Sequence, residues 1–101
     1  MKERLRMAQA NYKTETGVVR SVAANPSCHW IWTRHAREEM RNDQRVIADI
    51  QHALTNGHVD LIERKQDDVW RVLGRDLDGK PCGVACAVDE DIPSIKVITT
   101  F

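Results

Sequence analysis

A chain of 101 residues is long enough for one modest hydrophobic core and too short for two. With 42% hydrophobic and 30% charged residues, its composition is that of a globular protein and not of a disordered one. Lys plus Arg and Asp plus Glu balance at 15 each, which argues against a non-specific nucleic-acid binder with a basic footprint but leaves room for a local basic patch.

The opening "MKERLRMAQANYK" lacks the apolar stretch of a signal peptide. No later run approaches the roughly 20 apolar residues of a membrane span. A cytoplasmic protein without membrane contact is therefore expected. Residues 1–13 carry only a weak helical pattern through Leu5, Ala8 and Tyr12, and read as an extension, helix or tail, ahead of a single domain over 14–101. "TETGVVRSVAANP" predicts a short helix with Thr14 as its cap, Val18, Val19 and Val22 as its apolar stripe, and Asn25-Pro26 as its stop. "CHWIW" reads as an extended lead-in. Thr33 then caps a helix running to about Asn42, with Ala36 and Met40 facing inward. "RVIADIQHALTNG" is the next helix, with Val46, Ile47, Ile50, Ala53 and Leu54 as its stripe and Gly57 after its end.

Beyond Gly57 the period changes from helical to two. "VDLIER", "VWRVLGRD", "GVACAV" and "IKVITTF" are strand candidates, joined by "KQDD", "LDGKP" and "DEDIPS" as hairpin connections. Helices first and an antiparallel meander afterwards define an α+β domain, with the helices packed on one face of a four-stranded sheet. Gly83, Ala85 and Ala87 share a small-residue face of "GVACAV" that suits close packing of a helix. In "VWRVLGRD" Arg71 and Arg75, with Leu73 between them, share one face, where folding alone needs no cation. Cys28, Cys82 and Cys86 lack metal-ligand spacing; Cys82 and Cys86, at strand spacing, lie too far apart for a disulfide. All three read as reduced thiols, with no metal and no cofactor expected.

The ordered set Thr33, His35, Ala36 and Met40; Ala53, Leu54 and Gly57; Gly74, Asp76 and Gly79; Ile98 and Thr99 resembles the small bacterial domain family DUF4258 over about residues 17–101. One departure stands between the two central helices, where that family usually has a basic residue, a Gly and an Ile, and this chain has Asp43, Gln44 and Arg45. The family is grouped by fold with RelE-like toxins and ribonucleases of the barnase–colicin–RelE type. The resemblance thus implies a RelE-like sheet domain, and as a function an endoribonuclease toxin of a toxin–antitoxin pair. Its partners would be RNA, free or on the ribosome, and an antitoxin protein.

Cleavage through the ribose 2′-hydroxyl needs a base, an acid for the departing 5′-oxygen and cations on the phosphate, and no metal. His35 is the candidate base or acid, because an imidazole with an ordinary pKa of about 6.5 works at neutral pH. Arg71 and Arg75 are candidates to clamp phosphate oxygens. Thr99 is a candidate hydrogen-bond donor, and Glu63 an orienting group or alternative base. Arg34, Arg37 and Thr100 would extend the RNA-binding patch. The alternative is a non-catalytic protein-interaction module on the same fold. The two differ in one geometric expectation: a nuclease brings His35, Arg71, Arg75 and Thr99 into one open groove.

Overall fold

The computed structural model describes residues 12–64 and 66–101. Its elements are α1 (Lys13–Ala24), β1 (His29–Trp32), α2 (Arg34–Asn42), α3 (Ile47–Asn56), β2 (His58–Arg64), β3 (Asp68–Arg75), β4 (Pro81–Asp89) and β5 (Ser94–Thr100). The expected helix or tail at the start of the chain falls largely on residues 1–11, outside the described residues; Lys13 already belongs to α1.

The α+β architecture with helices on one sheet face is present, but the sheet has five strands, in the order β1-β5-β4-β3-β2. The expected lead-in "CHWIW" supplies the fifth, which pairs parallel with β5 through His29↔Ser94 to Trp32↔Val97, so the sheet is mixed and not purely antiparallel. Four residues give too little alternation to announce a strand, and the partner that stabilises this one comes at the far end of the chain. Trp30 and Trp32 point to the helical side and stack on each other at 5.7 Å between ring centroids.

One core lies between the layers. Val19 and Val22 of α1, Ala36 and Met40 of α2, and Ile50, Ala53 and Leu54 of α3 pack on Ile62, Val72, Val84, Cys86, Ile95 and Val97 of the sheet. The helical stripes agree with the expected ones except at two places. Helix α1 starts one residue before Thr14, with Tyr12 in the cap position and no side-chain cap. Val46 and Ile47 are 59% and 49% exposed, because α3 overlies the sheet only from Ile50 onward.

Close helix–strand contact occurs at a different face from the one expected. Gly83, Ala85 and Ala87 face away from the helices, and Gly83 is covered by the Phe101 ring. The tight approach is between the last turn of α3 and β3. A Cβ on Gly57 would lie 2.5 Å from the Ala53 carbonyl oxygen and 2.7 Å from that of Leu73, and a Cβ on Gly74 would strike the same Ala53 carbonyl. Neither glycine has a positive φ. Their value is the absent side chain.

The α2–α3 turn is a Schellman closure: Gln44 N–H donates to Arg41 O at 3.2 Å and Arg45 N–H to Met40 O at 2.8 Å. Gln44 sits in the left-handed region at φ 57°, the position suited to glycine. Gln44→Gly is therefore expected to stabilise the protein by about 0.5–1 kcal/mol in urea unfolding. By contrast, Gly74→Ala should cost about 1–3 kcal/mol through overpacking against Ala53; an unchanged midpoint would mean the layers separate freely.

Candidate functional site

Among the described residues the three helices lie on one side of the sheet, and the candidate residues divide between the other, helix-free face and the helix layer. Leu61↔Arg71, Arg71↔Ala85 and Ala85↔Thr99 form one continuous row across β2, β3, β4 and β5. Arg71 and Thr99 therefore share the open face, two strand spacings or about 10 Å apart. Glu63, opposite Val69, is the diagonal neighbour of Arg71 on the same face.

Two bulges shape this face. The β2–β3 register shifts between Val59 and Leu61, which leaves Asp60 as well as Leu61 exposed. Asp60 Oδ2 accepts from Arg71 Nη2 at 3.3 Å. The guanidinium also lies over the Phe101 ring, 5.3 Å from its centroid, while Arg71 Nε is buried with no acceptor. Sequence reasoning missed both Asp60 and Phe101. The one available signal was Gly83, whose missing side chain makes room for the Phe101 ring.

The second bulge, between Ala85 and Cys86, leaves Ile98 of β5 without a partner on β4. Thr33 uses it. Its hydroxyl accepts from Ala36 N–H at 3.0 Å, capping α2, and donates to Ile98 O at 2.6 Å. The start of α2 is thereby pinned beside the end of β5. His35 stands two residues beyond the cap, in the first turn of α2. Its ring is exposed and makes no hydrogen bond among the described residues. Arg34 and Arg37 flank it; Arg34 forms a solvent-exposed ion pair with Glu38 at 3.2 Å.

Arg75 shares the face of Arg71, as expected, but is engaged locally. Arg75 is four residues along β3 from Arg71, and its Nη1 donates to Gly79 O at 2.8 Å within its own hairpin. Thr100 does not lie on the open face: opposite Val84, it points to the core and is 2% exposed, since strand alternation sends it to the side opposite Thr99. No hydrogen bond joins His35 to Arg71, Arg75 or Glu63 among the described residues. The structure thus places Arg71, Arg75, Thr99 and Glu63 on one face, with Arg75 bonded within its own hairpin, sets His35 in the first turn of α2, and turns Thr100 to the core.

Asp76 is an architectural residue. Its Oδ1 accepts from Lys80 N–H and Asp78 N–H, each at 2.9 Å, and its Oδ2 lies 3.5 Å from Arg45 Nε. Gly79, at φ 84°, closes the turn. Arg45 also donates to Pro81 O at 2.6 Å. Asp49 accepts from Val46 N–H and Leu77 N–H, both at 3.0 Å. The α2–α3 turn and the β3–β4 hairpin are therefore tied together by polar bonds. The Lys80 N–H, then the Asp78 N–H and Arg45, hold the Asp76 carboxyl below the usual carboxylate range against the opposing effect of burial. None of the three free thiols is placed for chemistry. Burial raises Cys28 and Cys82, and pushes Cys86 up to about 12.

This two-layer α+β domain, with its open mixed sheet, belongs to the family described as Domain of unknown function (DUF4258), whose model matches residues 32–101. The matched stretch begins later than the resemblance suggested, so α1 and most of β1 precede it. No curated protein and no solved structure matches the chain. Among the described residues no helix is long and apolar enough to cross a membrane.

Because the folded-state pKa of Asp76 is depressed, its contribution to stability is present above the ordinary value of about 3.9 and is lost as pH falls through the lower, folded one. The urea midpoint of Asp76→Asn should therefore lie below that of the wild type at neutral pH. The gap should shrink on acidification below about 3.9. A gap that persisted unchanged into acid would assign the effect to shape and not to the carboxylate charge.

Proposed function

We propose that this chain is a metal-independent endoribonuclease of RelE-like type, the toxin of a toxin–antitoxin pair, acting on RNA through its 2′-hydroxyl. The observation that carries this reading is His35. Among the residues of the family resemblance, Thr33 caps, Ala36, Met40, Ala53 and Leu54 fill the core, Gly57 and Gly74 admit the helix, and Asp76 and Gly79 close the hairpin. His35 alone among those side chains is both exposed and without a hydrogen bond among the described residues. A side chain with no part in the fold, at a helix start beside a strand end, suits proton transfer.

In this reading His35 takes the 2′-hydroxyl proton as O2′ attacks phosphorus, giving a 2′,3′-cyclic phosphate; the 5′-oxygen leaves with a proton returned by an acid. Thr99 donates to the phosphate, and Arg71, whose buried Nε lacks an acceptor, supplies the cation. Glu63, diagonal to Arg71, is the alternative base on the same face.

A second reading, a non-catalytic protein-interaction module, is favoured by a specific observation: Arg71 is already held by Asp60 and Phe101, and no bond links it to His35. Cleavage of a mixed mRNA in EDTA, with and without translating ribosomes, separates the two. The nuclease reading expects cleavage by the wild type and a loss of about 10²–10⁴-fold in His35→Ala, with circular dichroism unchanged. Loss in Glu63→Gln with His35→Ala fully active would move the base to the sheet face. Absence of cleavage by the wild type in both conditions would leave the interaction module.

A further inference from the structure

A groove of about 670 Å³ opens between α2, α3 and the end of β1, well away from the Arg71 row. Trp32, Met40, Val46 and Ile47 line it with apolar surface, and Arg37 and Arg41 stand at its wall. Those arginines are one helical turn apart on α2, exposed, and without an ion-pair partner among the described residues. Like charges at that spacing cost helix stability, and folding has no use for them. Val46 and Ile47 are the expected core residues that the sheet leaves uncovered.

The other end of β1 carries the complement. Ile92, in the β4–β5 loop, is 74% exposed, more than any other large hydrophobic among the described residues. It follows Glu90 and Asp91, both exposed and unpaired among the described residues. Asp89 Oδ1 accepts from Asp91 N–H at 2.9 Å and Ile92 N–H at 3.2 Å, so the loop is braced from within and holds its isoleucine outward.

We propose that the groove receives this loop from a second copy of the chain, forming a two-fold dimer. The loop is anchored at the first residue of β1, where His29 N–H donates to Pro93 O at 2.8 Å, and the groove lies at its last residue, Trp32. These points are about 10 Å apart along the strand. Strand β1 is the outer strand of the sheet. A two-fold axis across that edge sets two β1 strands antiparallel and carries each loop to the other copy's groove, so the contact is made twice and closes. Segregated charge on a chain of net charge +0 is self-complementary in this arrangement. The segment before Tyr12 is a poor occupant, because Lys2, Arg4 and Arg6 outnumber Glu3 and would oppose the arginine wall. The inference does not rest on the RNA reading.

Sedimentation equilibrium of the full chain tests it. The wild type is expected to dimerise, more weakly as salt rises. Ile92→Ser should weaken association by about tenfold or more. A charge reversal of the wall, Arg37→Glu with Arg41→Glu, and one of the loop, Glu90→Arg with Asp91→Arg, should each be monomeric with unchanged circular dichroism. Mixed together, they should form a heterodimer, because each groove then meets a loop of opposite charge. A wild-type monomer at every concentration would overturn the proposal and leave the groove to a different acidic, apolar partner. A dimer indifferent to Ile92→Ser, or reversed variants that fail to associate on mixing, would overturn it equally.

Discussion

The Ala53 carbonyl lies against two glycines, and no Cβ fits between the last turn of α3 and β3. That contact sets how deep the helical layer sits on the sheet, and much else depends on the depth. Asp49, one turn earlier, reaches the Leu77 N–H, and Arg45, just ahead of the helix, reaches Asp76 and Pro81. A helix raised by a side chain would lose those polar bonds together with the burial of Ile50 and Leu54. The chain thus exchanges two side chains for a close fit, and the fit aligns a turn, a hairpin and a core at once.

Where the helical period ran unbroken, sequence and structure agree: Val19 with Val22, and Ile50 with Ala53 and Leu54, face the sheet as their spacing requires. The four-strand meander was equally legible from alternation and turn residues. What stayed hidden depends on relations between strands. Strand β1 is too short to be read alone. The bulges at Asp60 and Ile98 appear only as a shift of register between paired strands, yet they bring Asp60 to Arg71 and the Ile98 carbonyl to Thr33. Parity along β5 separates Thr99 from Thr100, and a bulge in the middle of a strand is what makes parity hard to count. The candidate site was therefore legible as residue types and only partly as an arrangement.

Most of the family resemblance turns out to describe construction. A hydroxyl that caps, two glycines that admit a helix and an aspartate that closes a hairpin explain why those residues recur together without any reaction in view. Construction does not account for the imidazole of His35, which is exposed and without a hydrogen bond among the described residues. The Arg71 side chain is a separate feature of the helix-free face. Its guanidinium already has a carboxylate and an aromatic ring, so a ligand there competes with existing partners or uses the N–H groups they leave unmet.

The parallel pairing of β1 with β5 also governs the order of assembly. Strands β2 to β5 are joined by short turns and can pair locally, whereas His29 must find Ser94 across nearly the whole domain. Loop-closure entropy places such a contact late in folding. Thr33 has no bulge carbonyl to hold until β5 is in place. The start of α2 around His35 is therefore pinned through contacts of the largest sequence separation in the sheet, the ones that loop closure penalises most.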